Sequence, residues 1–179
     1  MASPGVEMGS SDERFLEKLE YDSILYFVRE TNPANGLIKD SSRAGSPASV
    51  AAVGFGLTAV CIGESRGWIG KEDAYKIVLT TLKTFRDSVR NERGFFYHFL
   101  DMRTGDRVWS SEISSIDTAL FLAGALFAGE YFKGTEVERI AGELYERVDW
   151  PWMLNGKNIL CMGWKQDSCR TTGTCTARR

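Results

Sequence analysis

The sequence predicts an all-α fold, an incomplete ring of helical hairpins carrying one small β-hairpin. Three observations predict it. Apolar residues recur at helical spacing over most of the chain. Ordinary amphipathic helices alternate with helices that are apolar nearly all round. The one segment that breaks this pattern, residues 94–109, is aromatic, short and turn-containing.

The first helix starts near Ser11, with Asp12 and Glu13 in its first turn and Ser11 as its N-cap. Phe15, Leu16, Leu19, Ile24, Tyr26, Phe27 and Val28 form its apolar face, and Asn32-Pro33 ends it. A polar loop rich in Gly, Ser and Pro fills 32–47. The second helix, 48–64, is apolar on nearly every side, with small residues interleaved, so burial on most sides is expected. After a turn containing Trp68, a third helix spans 71–90, with Ala74, Ile77, Val78, Thr81, Leu82 and Phe85 on one face. Residues 94–101, the turn 103–106 and Arg107-Val108-Trp109 follow as the hairpin. The fourth helix opens at Ser114 or Ser115 and is again apolar all round. The fifth begins with the capping box Thr135-Glu136-Val137-Glu138 and runs to about Asp149.

Surface and buried helices therefore alternate, as they do when one member of each hairpin lines a centre and the other covers it. Five helices do not close such a ring. At roughly twelve residues per helix and five per loop, closure needs well over 200 residues. A small irregular bundle, complete in itself, is the competing reading.

Composition narrows the function classes. The chain has 179 residues, 12% of them aromatic, which supports a packed core and argues against disorder. A net charge of -2 gives no electrostatic reason to expect a nucleic-acid or anionic-membrane partner. No apolar run reaches the length of a membrane span. Met1 to Arg14 has neither the basic nor the apolar region of a secretory signal, so the chain as it stands reads as cytoplasmic, or as periplasmic or extracellular where a leader has been removed. Cys61, Cys161, Cys169 and Cys175 form no CxxC pair and lie far from the single His98, so neither a zinc site nor a disulfide framework is expected. Gly54-Phe55-Gly56 has no preceding strand and lacks the third glycine of a nucleotide loop. No cofactor is implied.

Several segments together resemble the glycoamylase-like domain family, which is related to bacterial endo-β-1,2-glucanases and to the glycoamylase-like region of cyclic β-1,2-glucan synthases. They are Asn32-Pro33-Ala34-Asn35-Gly36-Leu37-Ile38-Lys39-Asp40, Ser49-Val50-Ala51-Ala52-Val53-Gly54-Phe55-Gly56-Leu57, Gly67-Trp68-Ile69, residues 94–101, Ser111-Glu112-Ile113-Ser114-Ser115-Ile116-Asp117-Thr118-Ala119-Leu120 and Asp149-Trp150-Pro151-Trp152. The match runs over 15–164 in the family's motif order. The resemblance implies an (α/α) toroid of six hairpins whose cavity binds a glucan and cleaves it with paired acids, here represented by its N-terminal part.

Two departures accompany the match. The family continues with Pro-Glu, Gly-Phe and Trp-Asp-x-Tyr-x-Glu, whereas 165–179 is polar and aperiodic, with Cys169 and Cys175 in it. The organisation expected is thus a disordered 1–10, a toroid part over 11–164 and a non-homologous tail over 165–179. A frameshift or truncation near Lys165 is the hypothesis; resequencing that finds an intact frame through Arg179 would remove it in favour of a natural polar tail. The second departure is chemical. The acid expected from the missing segment has no counterpart here, and Ser110 and Ser114 stand where the glucanase branch has acidic residues.

Glycoside hydrolysis needs one carboxyl to protonate the leaving oxygen and another to activate water or attack the sugar. Glu112 and Asp117, entering a buried helix, are the catalytic candidates. Asp117 equally fits a capping box with Ser114, and Glu112 equally fits a solvated loop. Tyr97, His98 and Trp109 combine flat apolar faces with polar edges, as sugar-contacting side chains do. Asp40, Asp101 and Ser114 complete the substrate-contact set; either aspartate serves equally as a turn cap. The function expected is a carbohydrate-active fragment of a β-glucan hydrolase or transglycosylase. The alternatives are a non-catalytic glycan- or protein-binding helical module, or an inactive truncated product.

Overall fold

A computed structural model describes residues 9–165. The expected polar tail, with Cys169 and Cys175, lies almost wholly outside the described residues, as do the first eight of the ten assigned to a disordered end.

Helix α1 spans Ser10–Arg29 and starts inside that end segment. Its N-cap is Gly9, without a side-chain bond, so Ser11 does not cap it. Only Ile24 of its expected apolar face is buried; Phe15 is 65% exposed, and Leu16 and Leu19 are exposed too. The polar loop that follows is fastened at both ends. Tyr26 Oη donates to Lys39 O at 2.8 Å, and Asn32 Nδ2 donates to Met102 O at 2.7 Å.

Strand β1 (Ala48–Ser49) leads directly into α2 (Val50–Ser65), capped by Ser49. Helix α3 spans Lys71–Asp87, three residues short of its expected end. There the backbone unwinds: Ser88 sits at φ -121° and Val89 N–H reaches back five residues to Thr84 O. Strands β2 (Asn91–Glu92) and β3 (Phe95–Phe96) then pair antiparallel. Their two-residue loop, Arg93-Gly94, has both φ values positive, 51° and 85°, as a primed hairpin turn requires.

The hairpin expected over 94–109 forms over 99–108 only, and three short strand pairs surround it. Strand β4 (Phe99–Leu100) pairs with β1, fifty residues away in sequence, and also folds back on 106–108 as expected, through the Leu100–Arg107 bridge and the bonds from Asp101 N–H to Asp106 O at 2.7 Å and from Val108 N–H to Phe99 O at 3.2 Å. Strand β5 (Ile113–Ser114) runs into α4 (Ser115–Tyr131), and pairs with β6 (Gly163–Trp164). Helix α5 spans Glu136–Glu146 behind the Thr135 cap, which accepts from Val137 N–H. Glu138 reaches back to Gly134 N–H rather than Thr135, so the box is closed one residue early. Helix α6 (Trp150–Leu154) was not foreseen, because five residues carry no readable period.

Helices α2 and α4 cross where Gly54 meets Gly124, close enough that no side chain fits between them. Helix α1 packs on α2, α5 packs on α4, and α3 lies against both α5 and α2. Phe85, Phe96 and Phe121 fill the centre, fully buried. Helix α2 is buried on most sides, as expected, with Phe55, 54% exposed, the exception within 50–64. Helix α4, apolar all round, is covered on one side only: Ile116 is 52% exposed and Phe127 46%. No helix among the described residues is long and apolar enough to cross a membrane.

Candidate functional site

The site is built where the N-termini of α2 and α4 meet the 95–100 segment. His98 is fixed there through its backbone: its N–H donates to Glu112 O at 3.0 Å, and its carbonyl accepts from Val50 N–H at 3.1 Å. The adjoining bridge from Tyr97 to Ile113 sets the register that brings Glu112 beside the ring. Glu112 belongs to the loop before β5, while Asp117 lies in the first turn of α4, where a negative charge interacts well with the helix dipole.

The imidazole of His98 lies between the two acids. Its Nδ1 is 3.2 Å from Glu112 Oε1, and its Nε2 is 3.5 Å from Asp117 Oδ1. The Asp117 side chain is only 8% exposed, against 35% for Glu112. Ser114 Oγ accepts from Asp117 N–H and donates to Asp117 Oδ2. The expected capping box is thus half formed: serine caps the helix, but the aspartate bonds the hydroxyl rather than returning to the Ser114 amide. Thr118 Oγ1 donates to Ser114 O at 2.7 Å and accepts from Phe96 N–H at 2.9 Å, tying the cap to β3.

Burial alone would raise the Glu112 carboxyl. Hydrogen bonds from its own backbone N–H and from His98 outweigh this, aided by the charges of His98 and Lys165, and hold it below the usual carboxylate range. Glu112 is therefore suited to accept a proton or attack, not to deliver one. Because its folded value is depressed, the stability it contributes is present above its unfolded value and lost as pH falls through the folded one. Carboxyl NMR titration should find Glu112 ionising below an ordinary glutamate, and His98→Ala should move it upward. A Glu112 midpoint indifferent to His98 would contradict the assignment.

Trp109 stands beside this group with its side chain 72% exposed. Its ring meets Phe99 edge-on at 5.3 Å, and Phe99 stacks on His98 at 3.8 Å. Trp109 and Ser110 both hold positive φ, 54° and 50°, a conformation that costs non-glycine residues about 1–3 kcal/mol each. The aromatic chain from Trp109 through Phe99 to His98 was not visible in sequence, where Phe99 stands only as one aromatic residue of the 94–101 segment.

The other candidates do not join the cluster. The ring of Tyr97 is 6% exposed and its face carries the Arg107 guanidinium at 4.8 Å, so it offers no stacking surface. The Asp101 carboxylate accepts from Arg103 and Thr104 N–H at 2.9 and 2.8 Å, and these bonds hold it below the usual range as a turn cap. Asp40 lies exposed before β1, where its charge adds to burial in raising the Tyr26 phenol. Trp150 and Trp152 pack around Phe95, and Trp68 packs on Tyr21. No group of three metal-ligating side chains occurs among the described residues.

No family model matches the chain. The chain is similar to the exo β-1,2-glucooligosaccharide sophorohydrolase (non-reducing end) of Parabacteroides distasonis, 24% identical over 165 residues, covering 86% of this chain and 23% of that one. Its fold is shared by a glucoamylase-like protein of Bacteroides uniformis, with TM-score 0.81, 21% identity and coverage of 90% and 42%. It is also shared by the endo-β-1,2-glucanase of Chitinophaga pinensis, solved with sophorotriose and glucose, with TM-score 0.76, 22% identity and coverage of 89% and 42%. A β-1,2-glucanase from Parabacteroides distasonis gives TM-score 0.79 at 23% identity, covering 90% of this chain and 24% of that one. The chain spans well under half the length of each of these relatives.

Proposed function

We propose that residues 9–165 form one arc of an (α/α) toroid that binds β-glucan, and that the whole protein to which such an arc belongs is a glycoside hydrolase acting on β-1,2-linked glucose. The observation that carries this reading is the convergence of Glu112, His98 and Asp117 at the head of α4 beside the exposed ring of Trp109. The names of the similar proteins support the substrate class, and the open face of α4, with the exposed Phe55 of α2, fits an arc that further helices would cover.

In this reading Trp109 stacks on a pyranose ring. Its indole supplies an apolar face of the right shape, and its exposure leaves that face free. Glu112, held ionised, takes the proton of the attacking water or attacks the anomeric carbon itself. Asp117 orients His98 and, through Ser114, keeps the start of α4 in place. Ser114 is thereby a support for Asp117 more than a sugar contact.

A second reading is favoured by the same geometry. Asp117 is engaged in the helix cap and Glu112 is held as a carboxylate, so neither is set up alone as the acid of a hydrolase. An arc of this kind would bind glucan without cleaving it.

Calorimetric titration with sophorotriose, together with chromatography of the products from β-1,2-glucan, tests both. Binding is expected in either reading, and Trp109→Ala should weaken it about tenfold, equivalent to about 1.4 kcal/mol. Products that disappear in Asp117→Asn support hydrolysis, and binding without products supports the second reading. A chain that binds neither sugar rules out both.

A further inference from the structure

Among the described residues one buried side-chain nitrogen or oxygen has no hydrogen-bond partner, and it is Nε of Arg107. No carboxylate pairs with this guanidinium, and no acceptor of the chain meets Nη1 or Nη2. Its one contact is the face of Tyr97, with Cζ 4.8 Å from the ring centroid. A guanidinium has five N–H groups, and drying one edge of it without an acceptor is costly. The cation–π contact recovers part of that cost. Only Nε is shut off from solvent, so the group rests on Tyr97 with its terminal nitrogens accessible and unanswered.

The backbone fixes where this edge stands. Leu100 bridges Arg107, and Val108 N–H donates to Phe99 O at 3.2 Å. Tyr97 and Phe99 lie on one limb of the hairpin, Arg107 and Trp109 on the other. Arg107 covers Tyr97, and Trp109 meets Phe99 edge-on. The guanidinium and the exposed indole therefore follow one another two residues apart. That is about 7 Å of extended chain, the scale of one sugar ring. Charge selects what can lie there. Glu112, held as a carboxylate, adjoins the Ile113 bridge to Tyr97, so an anion drawn to Arg107 would be repelled from that side. An uncharged molecule rich in hydroxyls answers the donors without this penalty.

We propose that Arg107 is a substrate-contacting residue whose terminal nitrogens donate to two neighbouring hydroxyl oxygens of the glucose unit next to the one stacked on Trp109. The assignment rests on the glucan reading above and adds a second subsite to it. Adjacent hydroxyls of glucose set two oxygens side by side, which a planar fork takes together and a lysine ammonium does not. Tyr97, closed to the sugar itself, acts as the support that holds the fork.

Titration calorimetry with glucose and with sophorotriose tests this. Arg107→Met keeps an apolar stem on Tyr97, and Arg107→Lys keeps a charge there. Neither change orphans an acceptor, so both variants should melt near the parent. Sophorotriose should bind each about tenfold more weakly, while glucose affinity changes about twofold at most. Trp109→Ala should weaken both sugars. Should Arg107→Met lose its fold, Arg107→Lys decides. Unchanged sophorotriose affinity in either variant, or equal losses for glucose and sophorotriose, overturns the proposal and leaves stacking on Trp109 standing. A parent that binds neither sugar removes the glucan reading and this inference with it.

Discussion

Gly124→Ala is expected to destabilise the protein by about 2–3 kcal/mol, read as a lower urea midpoint at unchanged slope. A Cβ at position 124 would lie 1.9 Å from Gly54 O and 2.6 Å from Gly54 C. The reciprocal Cβ at Gly54 would lie 2.3 Å from Leu120 O. Every obstructing atom is backbone, so the two helices must separate, and no rotamer change relieves the clash. Alanine does gain up to about 1 kcal/mol over glycine in a helix interior. That gain is smaller than the cost of prying apart the central helix pair, so the sign is set by the crossing. Gly142→Ala provides the contrast within one experiment. Nothing lies within 4 Å of its added Cβ, so propensity acts unopposed and the protein should gain stability. Equal effects at both positions would show that α2 and α4 do not meet as described. The consequence for the site is direct, because α4 carries Ser114 and Asp117 at its head.

Phe121→Ala should cost about 3–5 kcal/mol and lower the melting temperature by roughly 6–20 °C. Phe121 is fully buried, stacked on Phe85 at 4.0 Å, and meets Phe96 edge-on at 5.4 Å. Removing it deletes a large buried side chain from the place where α3, β3 and α4 converge and leaves a cavity there. Phe96 precedes the segment holding His98, so the loss should also broaden the His98 resonances. A melt within 2 °C of the parent would mean that the aromatic cluster repacks freely.

Much of this arrangement was legible in the sequence. The heads of α4 and α5 could be read from Ser114 and Thr135, because a capping hydroxyl acts within three residues of itself; the Ser49 cap of α2 was passed over, and that helix was expected to start at 48. The end of α3 could not, since its amphipathic period continues through residues that the backbone has already left. The pairing of Ala48–Ser49 with Phe99–Leu100 has no local signature, and two-residue strands exist only through their partners. The same holds for chemistry. Glu112, Asp117 and His98 were each identifiable singly by residue type and resemblance, yet the position of the imidazole between the acids depends on a distant register. Asp40, Asp101 and Tyr97 matched the same chemical criteria. They stand apart because an exposed loop, a turn and a guanidinium respectively claim them, which composition does not reveal. The open side of α4 shows the opposite limit: hydrophobicity tells which surfaces want cover, and not where the cover is.

The β5–β6 pair joins the head of α4 to the far end of the described chain through two residues on each side. Ser115 adds to it, its hydroxyl donating to Cys161 O and its amide to Met162 O. On the β6 side the cover is thin: Trp164 packs on Trp152 at 5.4 Å, but Ile159 and Met162 next to it are exposed. With two residues on each side, β6 can leave the fully buried Ile113 strand at a fraction of the free energy of global unfolding. Amide exchange at Ser114 and Ser115 should then run ahead of exchange in the α2–α4 crossing. The kinetics of that fraying would govern how often the buried side of Asp117 exchanges its surroundings with water, making a short piece of ladder the clock of the acidic cluster.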